Sequence, residues 1–183
     1  MQNHQTMTAQ ERRRNKAAAA LSLLALLSMA APRASADLNC VFVVQNIVFG
    51  TYDPTAVLPH DLLTDVKVDC TNIQGNNGQG QGQIENAFMT VTASAGQGNN
   101  NSFFPRKMTG PTQKLEYNIF TNSGMTTVFG TGGASGTTSF SGNISVNNNT
   151  TNRYTRSLWA RIPAGQDVLP GDYNDSITFT VTF

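Results

Sequence analysis

The sequence predicts an all-β sandwich, and three observations carry the prediction. The last eight residues alternate strictly between apolar and polar, further β-branched and aromatic runs of strand length are punctuated by turn residues, and no helical period persists beyond a turn or two. The closing run, Ser176-Ile177-Thr178-Phe179-Thr180-Val181-Thr182-Phe183, places Ile177, Phe179, Val181 and Phe183 on one face, toward a core, and the threonines on the other. A strand this regular is normally flanked on both sides. A chain that stops at its edge leaves one side for a second polypeptide.

At the other end, Arg12, Arg13, Arg14 and Lys16 form a basic region, residues 17–31 are apolar apart from two serines, and Ala34-Ser35-Ala36 fits a small-residue cleavage site. This predicts a secretory signal peptide over residues 1–36 and a mature domain over residues 37–183. A membrane anchor is the alternative, but the apolar run is about 15 residues against the roughly 20 that a spanning helix needs. No later stretch is apolar enough to span a bilayer, so the mature chain is expected to carry no membrane span. Its length suits one domain with a real core.

Five of the twelve basic residues leave with the leader. Those that stay, Lys67, Arg106, Lys107, Lys114, Arg153, Arg156 and Arg161, are outnumbered by acids, and no basic face emerges to bind nucleic acid. The Arg106-Lys107 pair reads as a solvated loop or strand end. Cys40 and Cys70, the two cysteines of the chain, enter an oxidising compartment and are expected to form a disulfide. Closing a loop of that length contributes on the order of 3 to 4 kcal/mol in the chain-entropy picture. His60, between Pro59 and Asp61, is the one histidine left after processing and reads as a turn residue rather than a ligand or base.

Residues 39–50 are strongly apolar and predict a first strand with a break near Gln45-Asn46, both faces partly buried. Thr64-Asp65-Val66-Lys67-Val68-Asp69-Cys70 alternates, with Val66, Val68 and Cys70 on one side, so the disulfide would staple these two strands. Residues 75–83 are too rich in glycine and amides to bury a face and predict a loop, as do residues 96–102. Between them residues 87–93 predict one strand of the sandwich. Residues 115–120 follow. After a Gly/Ser/Thr-rich stretch come strands around residues 140–146 and 154–162, joined by a polar turn at residues 147–152.

Catalytic patterns are weak. Gly78-Gln79-Gly80-Gln81-Gly82 neither follows a strand nor opens a helix, so it is not a phosphate cradle. The serines lack a nucleophile elbow and a nearby base. Asp172 and Asp175 sit in Pro170-Gly171-Asp172-Tyr173-Asn174-Asp175, a tight turn feeding the last strand rather than a carboxylate pair for hydrolysis. No enzymatic activity, cofactor or metal is expected.

The order of Cys40, Val48-Phe49-Gly50-Thr51-Tyr52-Asp53-Pro54, Val66-Lys67-Val68-Asp69-Cys70-Thr71, Pro105-Arg106-Lys107-Met108, Leu115-Glu116-Tyr117, Arg161-Ile162-Pro163-Ala164-Gly165-Gln166 and Pro170-Gly171-Asp172-Tyr173-Asn174-Asp175-Ser176-Ile177 resembles the spore coat protein U domain family, which includes subunits of archaic chaperone–usher pili. The likeness covers essentially the whole mature chain. It implies an immunoglobulin-like sandwich lacking its final strand, secreted to the periplasm of a Gram-negative bacterium. There a periplasmic pilus chaperone would hold it and pass it to an outer-membrane usher, and other pilus subunits would donate a strand.

On that resemblance Ile177, Phe179, Val181 and Phe183 line one edge of a strand-accepting groove for donor or chaperone, and Phe42 and Val44 the other. The same residues would also suit the core of a sandwich closed by its own strands; the resemblance favours the groove. Such subunits carry an alternating donor extension ahead of the first cysteine, whereas Asp37-Leu38-Asn39 alone separate the expected cleavage site from Cys40. The expectation is a terminal, tip-like or coat-type unit on the cell surface. A standalone secreted binding module, lectin- or adhesin-like, is the alternative.

Overall fold

In the computed structural model, residues 37–73 and 84–183 are described; the expected leader and the glycine/amide-rich loop at residues 75–83 lie outside them. Eight strands run in chain order: β1 (Asp37–Val44), β2 (His60–Ile73), β3 (Ile84–Ala93), β4 (Arg106–Thr109), β5 (Lys114–Phe120), β6 (Phe140–Asn147), β7 (Thr151–Ile162) and β8 (Phe179–Thr182). They form a five-stranded sheet, β1-β2-β7-β5-β4, and a three-stranded sheet, β6-β3-β8, with every strand pair antiparallel. The all-β expectation holds.

Period-2 patterning decides which residues meet between the sheets. Val66, Val68 and Cys70 of β2, Leu115, Tyr117 and Ile119 of β5, and Leu158, Ala160 and Ile162 of β7 face Met89, Val91 and Ala93 of β3 and Ile144 and Val146 of β6, all nearly inaccessible to solvent. Two inner faces interdigitating in this way make the single core of a sandwich. Phe129, in the Gly/Ser/Thr-rich stretch, joins them and stacks on Phe140 with ring centroids 4.8 Å apart.

Cys40 lies directly opposite Cys70 in the β1–β2 register, and the two are joined as a disulfide that fastens edge strand β1 to the sheet. β1 ends at Val44, consistent with the break expected beside Gln45. The continuation, residues 45–50, pairs with no strand among the described residues. Both faces of β1 are not buried alike: Phe42 is half-buried, while Val41 and Val43 are exposed.

Two readings of single residues are corrected. His60 is not a turn residue; it opens β2 opposite Ile162 and meets Phe49 edge-on at 5.7 Å. Arg106 is not solvated. It begins β4 fully buried, donating to Asn118 Oδ1 (2.8 Å) and to the carbonyls of Ser94 (2.9 Å) and Phe129 (2.7 Å), with the Phe103 ring at 4.8 Å. Burial pulls its guanidinium pKa down to about 10, and the three acceptors offset the cost of placing a cation there. Lys107 does stay at the surface, paired with Glu116 at 3.0 Å.

The disulfide closes a loop of 30 residues. Cys40→Ser with Cys70→Ser is expected to lower unfolding free energy by about 3 to 4 kcal/mol, measured by denaturant titration. A loss under about 1 kcal/mol would mean that β1 is held chiefly by its ladder and side chains.

Candidate functional site

β8 has β3 on one side and no strand on the other among the described residues. Its register runs Ala93↔Phe179, Val91↔Val181 and Thr90↔Thr182, and one step further the Ser94 amide donates to the Thr178 carbonyl at 2.8 Å. In an antiparallel ladder the hydrogen-bonded pairs alternate. The main-chain groups of Thr178, Thr180 and Thr182 therefore point to β3, and those of Phe179 and Val181 point away, toward the open edge.

The same residues turn their side chains inward. From Ile177 to Thr182 accessibility alternates in phase with the sequence, but Ile177, Phe179 and Val181 reach only half-burial, whereas Met89 and Val91 on β3 are 0% exposed. The strand has the pattern of a core strand without the cover.

Beside it lies a groove of about 580 Å³. One wall is residues 172–175 with Ile177 and Phe179; the other is residues 44–50; the floor is Met108, Leu115, Tyr117, Ile119 and Ile162 from β4, β5 and β7. The walls come together where the Phe42 and Phe179 rings meet, 6.0 Å between centroids. Residues 45–50 make no main-chain to main-chain hydrogen bond within the described residues. Unpaired backbone thus stands on both sides of an apolar floor.

Of the residues predicted for this edge, Val44, Ile177 and Phe179 line the groove. Phe42 contacts Phe179 where the walls meet, and Val181 continues the same inward row opposite Val91. Phe183 differs from the expectation that it faces the core: it lies past the end of β8 and is 61% exposed. Ile47 and Phe49 belong to the wall and the β4–β5 side chains to the floor, neither foreseen. The signal for Ile47 and Phe49 was their odd-numbered alternation, out of phase with Phe42 and Val44 across the break.

Tyr117 on the floor donates to Asp175 Oδ2 at 2.6 Å. Burial, and then this hydrogen bond, raises its phenol pKa far above the ordinary range. The unfolded phenol ionises near its ordinary 10.0, so below that pH both states are protonated and the contribution of Tyr117 is complete; above it the unfolded state loses a proton that the folded state keeps, and stability falls. Tyr117→Phe is expected to cost about 1 to 3 kcal/mol by leaving a carboxylate oxygen unpaired. The gap to the wild type, followed by denaturant unfolding, should be constant below pH 10 and shrink above it. A gap that is flat across pH 10 would contradict the buried-donor geometry.

The profile of the Spore Coat Protein U domain matches residues 25–180. A search of curated proteins finds no match. Among solved structures, the CsuC–CsuE chaperone–tip adhesion subunit pre-assembly complex from archaic chaperone–usher Csu pili of Acinetobacter baumannii is similar at 20% identity and a TM-score of 0.49, over 80% of this chain and 40% of that chain. With the family profile spanning nearly the whole described domain, the chain belongs to the Spore Coat Protein U domain family.

Proposed function

We propose that this chain is a secreted structural subunit of a surface pilus or coat-like assembly, and that its groove accepts a β-strand from another polypeptide. The observation that carries the reading is the coincidence, at Phe179 and Val181, of half-buried inward side chains with outward main-chain groups on an unpaired edge. An added strand would satisfy those groups and bring apolar side chains onto the half-buried Ile47, Phe49, Ile177 and Phe179. Family membership supports the same reading.

In this view the domain is an immunoglobulin-like sandwich short of one strand. It leaves the cytoplasm on the signal peptide of residues 1–36, and its edge is filled first by a periplasmic chaperone and then, at an outer-membrane usher, by the donor strand of a neighbouring subunit. Ile177, Phe179 and Val181 form the accepting side, and Phe42 and Val44 the facing side.

The test is a synthetic peptide of alternating apolar residues added to the purified protein. Expected are a higher Tm and slowed amide exchange at Phe179 and Val181. Phe179→Asp, which sets a charge in the wall, should weaken the peptide at least tenfold, about 1.4 kcal/mol, while Val57→Ser, at a site 89% exposed, should not change it. Free protein whose Phe179 and Val181 amides are already protected, and which binds no such peptide, would overturn the proposal.

A further inference from the structure

The accepting strand has a sequence that does not choose its own register. From Ile177 to Phe183 apolar residues take every second position and threonine every position between. A one-residue slip of β8 against β3 turns the apolar set outward and is excluded by the core. A two-residue slip leaves the pattern intact: Val91 meets Phe179 or Phe183 in place of Val181, and the threonines stay outside. Main-chain bonds do not discriminate either, because the contacts of Ser94 with Thr178 would re-form with Ser176 or Thr180, and those of Thr109 with Asn174 would re-form with Asp172 or Ser176.

Beyond the Phe179 ring, which meets Phe42 and Phe129, one polar side chain discriminates. Asp175 Oδ1 accepts from the amides of Gln97 (2.7 Å) and Gly98 (3.2 Å), and Oδ2 accepts from the Tyr117 hydroxyl (2.6 Å). Its seat is built by Gly96, whose φ of +83° suits glycine and where a Cβ would stand 1.9 Å from Asp175 Oδ2. The turn carrying that seat is tied to the core through the Ser94 carbonyl, which accepts from buried Arg106. A two-residue slip would carry Asp175 about 7 Å away and bring Tyr173 or Ile177 to the seat, neither of which has a carboxylate.

We infer that Asp175, seated over Gly96 and joined to Tyr117, is a positioning residue that sets the register of β8 and so decides which main-chain groups the open edge offers. Its meaning for strand acceptance rests on the function proposed above; the lock itself does not.

Paired cysteines on the outer face read the register directly. Thr92→Cys with Thr180→Cys marks the observed pairing, and Thr92→Cys with Thr182→Cys marks a two-residue slip, each followed with a short bifunctional thiol crosslinker in the full chain. With the lock intact the first pair should crosslink at least about tenfold faster than the second; in Asp175→Ala and in Gly96→Ala the ratio should fall to within about threefold. Gly96→Ala removes no bonding group and acts through the clash with Asp175 together with the strain of a φ of +83° in the turn that carries the seat. Should Asp175→Ala lose cooperative unfolding, Asp175→Asn, which keeps one accepting oxygen, replaces it with an intermediate ratio expected. An undiminished ratio in the folded variants would overturn the inference. Peptide binding measured alongside separates the two ideas: a fallen ratio with no peptide bound by any form upholds the lock and sinks strand acceptance, and an undiminished ratio with peptide bound does the reverse.

Discussion

The structure turns on a row of backbone amides and carbonyls that belongs to a core strand yet has no partner among the described residues. At Phe179 and Val181 the chain commits apolar side chains to the interior and leaves the main chain facing outward. Burying the side chains fully would require covering the edge, and covering it would bury polar groups that must then be bonded. A second strand would meet both demands at once. Five strands face three, the floor of the groove is itself closed, and the half-covered side chains are those of its walls, Ile47, Phe49, Ile177 and Phe179.

The floor is stiff because the rest of the sandwich is over-determined. β2 and β7 pair without interruption from His60↔Ile162 to Thr71↔Thr151. On their outer face Asp61 bonds Arg161 and Asp69 bonds Arg153, each through two contacts. These hydrogen bonds hold both carboxyls below their ordinary pKa. At such exposure the pairs orient the ladder more than they stabilise it. The disulfide fixes β1 to that ladder, and Val44 leads directly from β1 into the groove wall. Past the wall, Tyr52 bridges Gly171, and Phe49 packs on His60 and Tyr117, so residues 45–50 are held at both ends and by side chains while making no main-chain to main-chain hydrogen bond among the described residues.

What could be read from the sequence was what depends on neighbours along the chain. Val66-Lys67-Val68-Asp69-Cys70 announces its buried face by alternation alone, and so does Ile177-Thr178-Phe179-Thr180-Val181. Phe183 did not follow, because alternation states which way a residue would point and not whether a partner strand extends far enough to cover it. Arg106 was read as solvated because an arginine in a short basic pair usually is; its burial depends on Ser94, Asn118 and Phe129, which the fold brings together from separate elements. The groove floor was illegible for the same reason: Leu115, Tyr117 and Ile119 read as one face of a strand, and only the three-dimensional order β7-β5-β4 sets that face beneath residues 44–50. Asp175 was read as part of a tight turn, but residues 171–178 run extended, bridged at Gly171 to Tyr52 and at Asn174 to Thr109, and the acceptor role of its carboxylate needs the amides of residues 97 and 98, far away in sequence.

The edges of this sandwich are not treated alike. Along β6 the carbonyls of Ser141 and Ser145 are taken by Tyr154 and Asn152 side chains. Along β4, Thr109 exchanges two hydrogen bonds with Asn174, 2.7 and 3.0 Å, and Lys107 brings a charge. These are the devices by which sheets protect themselves from unwanted pairing. β8 and its approach have none of them: from Ser176 to Phe183 there is no charge and no proline. An uncharged, β-branched edge is a liability in a protein that should stay alone. The chain guards β4 and β6 with specific side chains, whereas β8 and Leu38–Val44 of β1 carry neither charge nor proline and each has a half-buried inward row, the two bare edges being those that meet at the Phe42–Phe179 contact.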